Sequence, residues 1–236
     1  WQSMRAQDRS FVAAEILSFI GAADESEELF FNENKKRLKR GTEDQLAAGQ
    51  LRGWVLHPAQ RNVISDVLSV AAADLGKPFS DADVDPIDKR SILKPRAEDS
   101  VRSLCDDVAR AFGVQAFDVV KSEARRTLVR AFNGAPPLLY VGVDVAKLQP
   151  TREQRFLVAR ELLALWSGNT LIRGLDARGL ASLLTAIGRS VDKAFPLLGE
   201  SSDLESLTKR VGGALSRKTR ATLAEPVAVL ASNVRS

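Results

Sequence analysis

Leu138-Leu139-Tyr140-Val141-Gly142-Val143 is followed, across a short connector, by Thr151-Arg152-Glu153-Gln154-Arg155-Phe156-Leu157-Val158-Ala159-Arg160-Glu161-Leu162-Leu163-Ala164-Leu165-Trp166. The first segment is apolar on both faces, the pattern of a strand covered on two sides. The second is the best-defined helix of the chain. Thr151 and Gln154 form a capping box, in which each side chain satisfies the other's free backbone donor. Phe156, Ala159, Leu163 and Trp166 make the expected buried stripe, and Gly168 stops the helix.

Upstream, the alternation points to more sheet. Ala116-Phe117-Asp118-Val119-Val120 reads as a strand and Thr127-Leu128-Val129-Arg130-Ala131-Phe132 as another. Gly134-Ala135-Pro136-Pro137 is a turn. Three strands this close predict a small mixed or antiparallel sheet. The rest of the chain carries helical periodicity. Residues 97–112 place Val101, Leu104, Val108 and Phe112 on one side, with Gly113 as the stop. Asp176 caps a helix over 177–188, and 203–216 and 219–232 complete a helical tail, with Gly212-Gly213 expected to break the first of these.

At the N-terminal end, 4–20 reads as a helix with Phe11, Ala14, Ile16, Leu17 and Ile20 as its apolar stripe. A second helix over 26–49 has Ser26 as its cap and Glu27 and Glu28 in the first turn, where the helix dipole favours negative charge. A third begins at Pro58 and buries Val63, Ile64, Val67, Leu68 and Ala71. Pro78, Pro86 and Pro95 with several aspartates mark 77–96 as an irregular connector. The fold class is therefore α+β, mostly helical, with a small sheet packed on the 151–167 helix. Two regions are expected: a helical segment and connector over 1–95, and a second domain over 96–236. No internal repeat is visible.

The 236 residues are 44% hydrophobic and 27% charged, ordinary for a folded chain. Aromatics are only 6%, so Ala, Leu and Val must build the core. One cysteine, Cys105, excludes an internal disulfide and a cysteine-ligated zinc site, and reads as a small buried hydrophobe. The one histidine, His57, precedes Pro58 and reads as a capping or packing residue, since no second histidine exists to share a metal. No apolar run reaches the ~18–20 residues of a membrane helix, and no signal peptide is visible. Absence of disulfides fits the cytoplasm. Trp1-Gln2-Ser3-Met4 does not read as a natural start, and both ends read as boundaries within a longer protein.

Lys35-Lys36-Arg37-Leu38-Lys39-Arg40 is the strongest basic run. Its five cations, Lys35, Lys36, Arg37, Lys39 and Arg40, read as a solvated helix face or as a patch for phosphate or an acidic partner. Lys209-Arg210 and Arg217-Lys218-Thr219-Arg220 offer a second such run, without the interleaved aromatics of a single-strand binder. No phosphate loop and no Gly-x-Ser-x-Gly elbow is present.

The text Arg155-Phe156-Leu157-Val158-Ala159-Arg160-Glu161-Leu162-Leu163-Ala164, behind a strand, resembles the core of gluzincin-type zinc metallopeptidases, where Arg-Phe-x-x-Ala-His-Glu-Leu-x-His is common. In that motif two histidines four apart hold Zn²⁺ and the glutamate between them polarises the bound water. On this resemblance Arg160 stands at the first histidine, Glu161 at the general base and Ala164 at the second histidine. A guanidinium offers no lone pair and alanine offers nothing. Glu161 alone cannot activate water, so hydrolysis, metal and cofactor are not expected. Arg160, in the place of the metal, is expected to be partly buried and paired with a carboxylate or backbone carbonyls.

Pro136-Pro137-Leu138-Leu139-Tyr140-Val141-Gly142 and Arg155-Phe156-Leu157-Val158-Ala159-Arg160, with Trp54-Val55-Leu56-His57-Pro58 before them, also resemble the C-terminal region of large bacterial tetratricopeptide-repeat proteins. The resemblance covers about half the chain and implies a non-catalytic module beside a helical-repeat array. The expected function is a protein-interaction or scaffold module, with a protein partner or the neighbouring repeats as its ligand. The alternative is a nucleic-acid or anionic-partner binder using residues 35–40 and 209–220. No membrane partner is expected.

Overall fold

Four short strands and two helices carry the motif region. The computed structural model describes residues 7–19, 21–34, 46–79, 91–95, 99–114, 116–148, 151–199 and 203–235. The strands are β1 (Ile92–Leu93), β2 (Asp118–Ser122), β3 (Val129–Phe132) and β4 (Leu138–Gly142). Their order across the sheet is β1-β2-β4-β3. β1 runs antiparallel to β2, β2 parallel to β4, and β3 antiparallel to β4, so the sheet is mixed. β4 slots between the two strands that precede it in sequence, and it is buried along its whole length. β1 falls inside the segment expected to be irregular.

Getting from β2 to the far edge requires the 123–128 loop to pass tightly over β4. It does so at Gly142, where a Cβ would collide with the carbonyl oxygens of Arg126 and Arg125. The loop is pinned there by the Gly142 amide donating to the Leu128 carbonyl (2.7 Å) and by Arg126 bonding both oxygens of Asp144.

One sheet face, built from Val119, Val129, Ala131, Leu139 and Val141, packs on α5 (Ser100–Phe112) and α6 (Thr151–Trp166). Asp99 caps α5 by accepting from the Val101 and Arg102 amides. Cys105 is fully buried in this core, as expected of a small hydrophobe. α5 buries Val101, Cys105 and Ala109, and Arg102 with them. The Arg102 guanidinium lies 4.9 Å from the Phe117 ring centre, bonds Asp106, and donates to the Leu93 and Phe117 carbonyls. The opposite sheet face is a small cluster of Val120, Phe132, Leu138 and Tyr140, with Ile92 against it.

A second core is all helical. α4 (Val63–Leu75), α7 (Ala177–Val191), α8 (Leu204–Ala214) and α9 (Arg217–Arg235) share Val67, Leu68, Ile187, Val211 and Leu223, each almost fully buried. Burying one such side chain stabilises by roughly 1.5–3 kcal/mol. Asp176 caps α7 through the Gly179 amide (2.7 Å), as its sequence position suggests. α8 does not break at Gly212-Gly213. It runs on to Ala214, and the chain turns at Ser216, whose amide donates to Asp74 of α4 (2.7 Å). α4 begins at Val63 under an Asn62 cap; Pro58–Gln60 forms only a single 3-10 turn before it. His57 caps that turn by accepting from the Ala59 amide at Nδ1 (3.2 Å). Short α3 (Ala48–Gln50) leads into a π-helical turn over Leu51–Val55.

The chain divides into two compact units, 1–43 and 44–236. The boundary expected at 95/96 lies inside the second unit, because α4 shares its core with the C-terminal helices. The first unit contains α1 (Gln7–Phe19) and α2 (Glu25–Asn34). Phe11 and Ala14 of α1 are buried, and Phe11 lies 5.4 Å from Phe31. Ile16, expected in the stripe, is 55% exposed; Ile20 lies outside the described residues. α2 starts two residues earlier than a cap at Ser26 implies. Asp24 accepts from the Glu27 amide (2.8 Å) and Glu27 accepts from the Asp24 amide (2.9 Å), a reciprocal cap. Among the described residues no helix is long and apolar enough to cross a membrane.

Candidate functional site

The motif helix α6 is rotated relative to its expected stripe. Gln154, Val158, Glu161 and Leu162 face inward, a row spaced for one helix face. Phe156 is 67% exposed, and Ala159, Leu163 and Trp166 are only half-buried. Two polar anchors set this rotation. Gln154 donates from Nε2 to the carbonyls of Val145, Ala146 and Leu148, 3.0 Å each, and so ties α6 to the connector before it. The side chain of Thr151, the other half of the expected capping box, lies outside the described residues.

The second anchor is Glu161, which is 5% exposed. Its Oε2 accepts from the Ala131 amide at 3.0 Å and from Arg173 Nη2 at 2.9 Å. Its Oε1 accepts from Arg160 Nε at 3.2 Å. Arg173 completes a ring by donating from Nη1 to the Ala131 carbonyl at 3.0 Å.

The position of Ala131 explains the arrangement. β3 is one edge of the sheet. The Leu128 carbonyl bonds Gly142 across the ladder. In antiparallel pairing the bonding alternates, so residues 128, 130 and 132 bond β4 while Val129 and Ala131 point away from it. An edge residue leaves one donor and one acceptor unpaired. The carboxylate takes the Ala131 donor and the guanidinium takes its acceptor. One step along, the Asn133 side chain donates to the Thr170 carbonyl at 2.9 Å. The 169–173 segment thus lies along the edge where a further strand would pair.

The expected burial of Arg160 is corrected. Arg160 is paired, but its side chain is 55% exposed, and Arg173 is the arginine that meets the buried carboxylate. Taking a carboxylate out of water is costly unless charged partners surround it, and that partner has to sit on the inner side of α6. Arg160 lies on the outer side. Ala164 is half-buried. A general base needs a lone pair aimed at its proton source. Glu161 instead has both oxygens engaged by protein donors. Among the described residues no group of three His, Cys, Asp or Glu side chains could hold a metal ion.

Sequence reasoning missed Arg173 and Ala131. Arg173 is 12 residues from Glu161 and 42 from Ala131, so no local spacing marks it. Arg102 was missed for the same reason: a lone arginine in an amphipathic helix reads as surface.

Of the two basic runs, Lys35, Lys36, Arg37, Lys39 and Arg40 lie outside the described residues. Lys209, Arg210, Arg217, Lys218 and Arg220 are all exposed at the α8–α9 corner. Arg210 covers the Phe79 ring at 4.3 Å, and Arg220 bonds the Gly212 carbonyl. Residues 206–224 contain these five cations and no acid.

Clefts open on the helical core among the described residues. One, of about 640 Å³, lies between α4 and α9, where Arg52 grips Asp66 and Arg61 bonds the Leu56 and Gly53 carbonyls. Another, of about 580 Å³, lies where α7 and α8 begin. Neither is lined by Arg160, Glu161 or Ala164. No protein-family model, curated protein or solved structure matches this chain.

Proposed function

We propose that the chain is a non-catalytic protein-interaction or scaffold module of a larger bacterial protein, built on a peptidase-like strand and helix that lack metal ligands. The observation that supports it is the state of Glu161. At the position of the peptidase base, this carboxylate is buried and holds Ala131 and Arg173. The same residue type does a structural job in place of a chemical one. Arg160 and Ala164 supply no ligand. On this proposal the partner is a protein or the neighbouring helical repeats, and the compartment is the cytoplasm.

Two measurements test it. Wild-type protein and Glu161→Gln are assayed on a broad set of fluorogenic peptides; neither should hydrolyse any. Turnover that vanishes in Glu161→Gln would overturn the proposal. The intact parent protein and the isolated chain are then used side by side to capture partners. The proposal expects the isolated chain to retain a subset of the parent's partners. A chain that retains none has no scaffold role of its own.

The exposed cations of 206–224 favour a second reading, an anion-binding helical corner. Arg217, Lys218 and Arg220 sit in the first turn of α9, where the helix dipole disfavours positive charge. Phosphate contacts of this kind give binding that weakens steeply with salt. A gel shift with duplex DNA and RNA at low salt separates the two readings, since the scaffold reading expects no shift.

A further inference from the structure

The cleft where α7 and α8 begin holds about 580 Å³, within the roughly 300–1,000 Å³ that small-molecule sites occupy. Much of its wall is leucine. Leu171 and Leu183 line it and are otherwise buried, Leu207 is half-buried, and Leu175 is 44% exposed. An apolar body laid in the cleft takes that leucine surface out of water, the main gain open to a ligand there.

Four charged side chains line the same cleft: Asp176, Arg178, Asp203 and Arg210. Asp176 is engaged, because it accepts from the Gly179 amide as the cap of α7. Arg210 lies over the Phe79 ring at 4.3 Å, so its guanidinium is placed before any ligand arrives. Neither arginine forms an ion pair with a described residue, and Asp203 makes no side-chain cap at the start of α8. Two guanidiniums thus stand unpaired against one carboxylate, and the balance is positive. Arg178 sits in the first turn of α7, where the helix dipole disfavours a cation, so the fold gains nothing from its charge.

We propose that this cleft binds a small carboxylic acid with an apolar body, the body on the leucine wall and the carboxylate within reach of Arg178 and Arg210. A guanidinium meets a carboxylate through paired, charge-assisted hydrogen bonds, which suit an arginine better than a point charge. A cation of the same shape meets two like charges and one opposite charge, and is disfavoured. The site stands apart from the scaffold reading. Arg178 also lies outside the basic corner over 206–224, so it separates this cleft from that surface.

The test is isothermal titration calorimetry of the full chain with decanoate, and with decyltrimethylammonium as a cation on the same tail. Circular dichroism confirms that each variant is folded. Decanoate should fill a single site with half-saturation below about 1 mM. The cation should bind about tenfold more weakly or worse. Arg178→Gln and Arg210→Gln should each weaken decanoate about threefold or more, and the double variant about tenfold or more. Asp203→Asn removes the unpaired like charge and should tighten decanoate about twofold. Ser206→Trp fills the cleft from an exposed wall position and should abolish binding. Decanoate that does not saturate by about 10 mM overturns the proposal. So does a double arginine variant that binds like wild type, a cation that binds as tightly, or an Asp203→Asn that binds decanoate more weakly. If Ser206→Trp loses helix, the charge variants decide.

Discussion

Glu161 and Arg173 lie 2.9 Å apart and between them occupy the outward donor and acceptor of Ala131 on the sheet edge. A carboxylate and a guanidinium thus take the place of a neighbouring strand at that residue. Edge strands with unpaired groups are templates for unwanted pairing, and covering them is a common remedy. The pair also fixes how α6 is rotated, because Glu161 must face β3.

Removing Arg173 leaves a buried carboxylate with fewer charged partners. Breaking a buried pair costs about 3–5 kcal/mol, and the partial exposure of Arg173 brings the expectation to about 2–3 kcal/mol. Arg173→Ala should therefore lower the urea midpoint sharply. Arg160→Ala, on the exposed side of the same carboxylate, should cost no more than about 1 kcal/mol. Equal losses would mean that the two arginines share the burden, against the geometry.

Gly168→Ala should be among the most damaging single methyl additions. Gly168 has φ +72, a left-handed conformation that disfavours side chains, and a Cβ there would collide with the Leu68 carbonyl of α4. Strain and displacement of α4 together predict a loss of about 2–4 kcal/mol in chemical denaturation. Gly174→Ala has a positive φ and open space, so it should lose only about 1 kcal/mol.

Stability should fall in acid. Burial pushes the Asp99 carboxyl up, but the Lys121 ammonium and the Arg102 and Val101 amides outweigh it and hold it below the ordinary 3.8. Asp74 is likewise lowered: burial opposes, and the Thr219 hydroxyl and the Ser216 amide and hydroxyl prevail. A group depressed in the folded state stabilises fully above its unfolded value and loses that contribution as pH drops through its folded value. Urea midpoints should hold steady above 3.8 and decline below it. Asp99→Asn should flatten part of that decline and lower stability at neutral pH.

Cys105 should be silent to thiol reagents in the native protein. Burial pushes its thiol up to about 12, against an ordinary 9.0, so almost no thiolate exists at neutral pH. Labelling with a chromogenic disulfide at mildly alkaline pH should proceed only at the rate of unfolding. The same shift predicts that stability declines with rising pH from about 9.0 towards 12, where the unfolded chain ionises and the folded chain does not.

The elements were legible where a local pattern defined them. The strand at 138–142, the helix from Thr151, the Asp176 cap and the stop at Gly168 follow from residues within one or two turns of each other. The mixed order of the sheet has no local signature, because the placement of β4 between β2 and β3 depends on the loop crossing Gly142, a contact made across the sheet. The buried face of α6 is likewise set from far away in sequence. Hydropathy puts Phe156 inside and Glu161 outside. The long-range demand of Ala131 and the partner Arg173 reverses both. Position 161 was legible as the place to look, and its role was not, since the residues that define it come from a strand and a turn far away in sequence.

The zinc content of the purified chain tests the central claim most directly. The full chain is prepared with zinc in the growth medium and measured by inductively coupled plasma mass spectrometry. With Glu161 bound to Ala131 and Arg173, and with Arg160 and Ala164 at the ligand positions on the proposed resemblance, zinc should stay at the background of a zinc-free control protein. One zinc per chain would contradict the account.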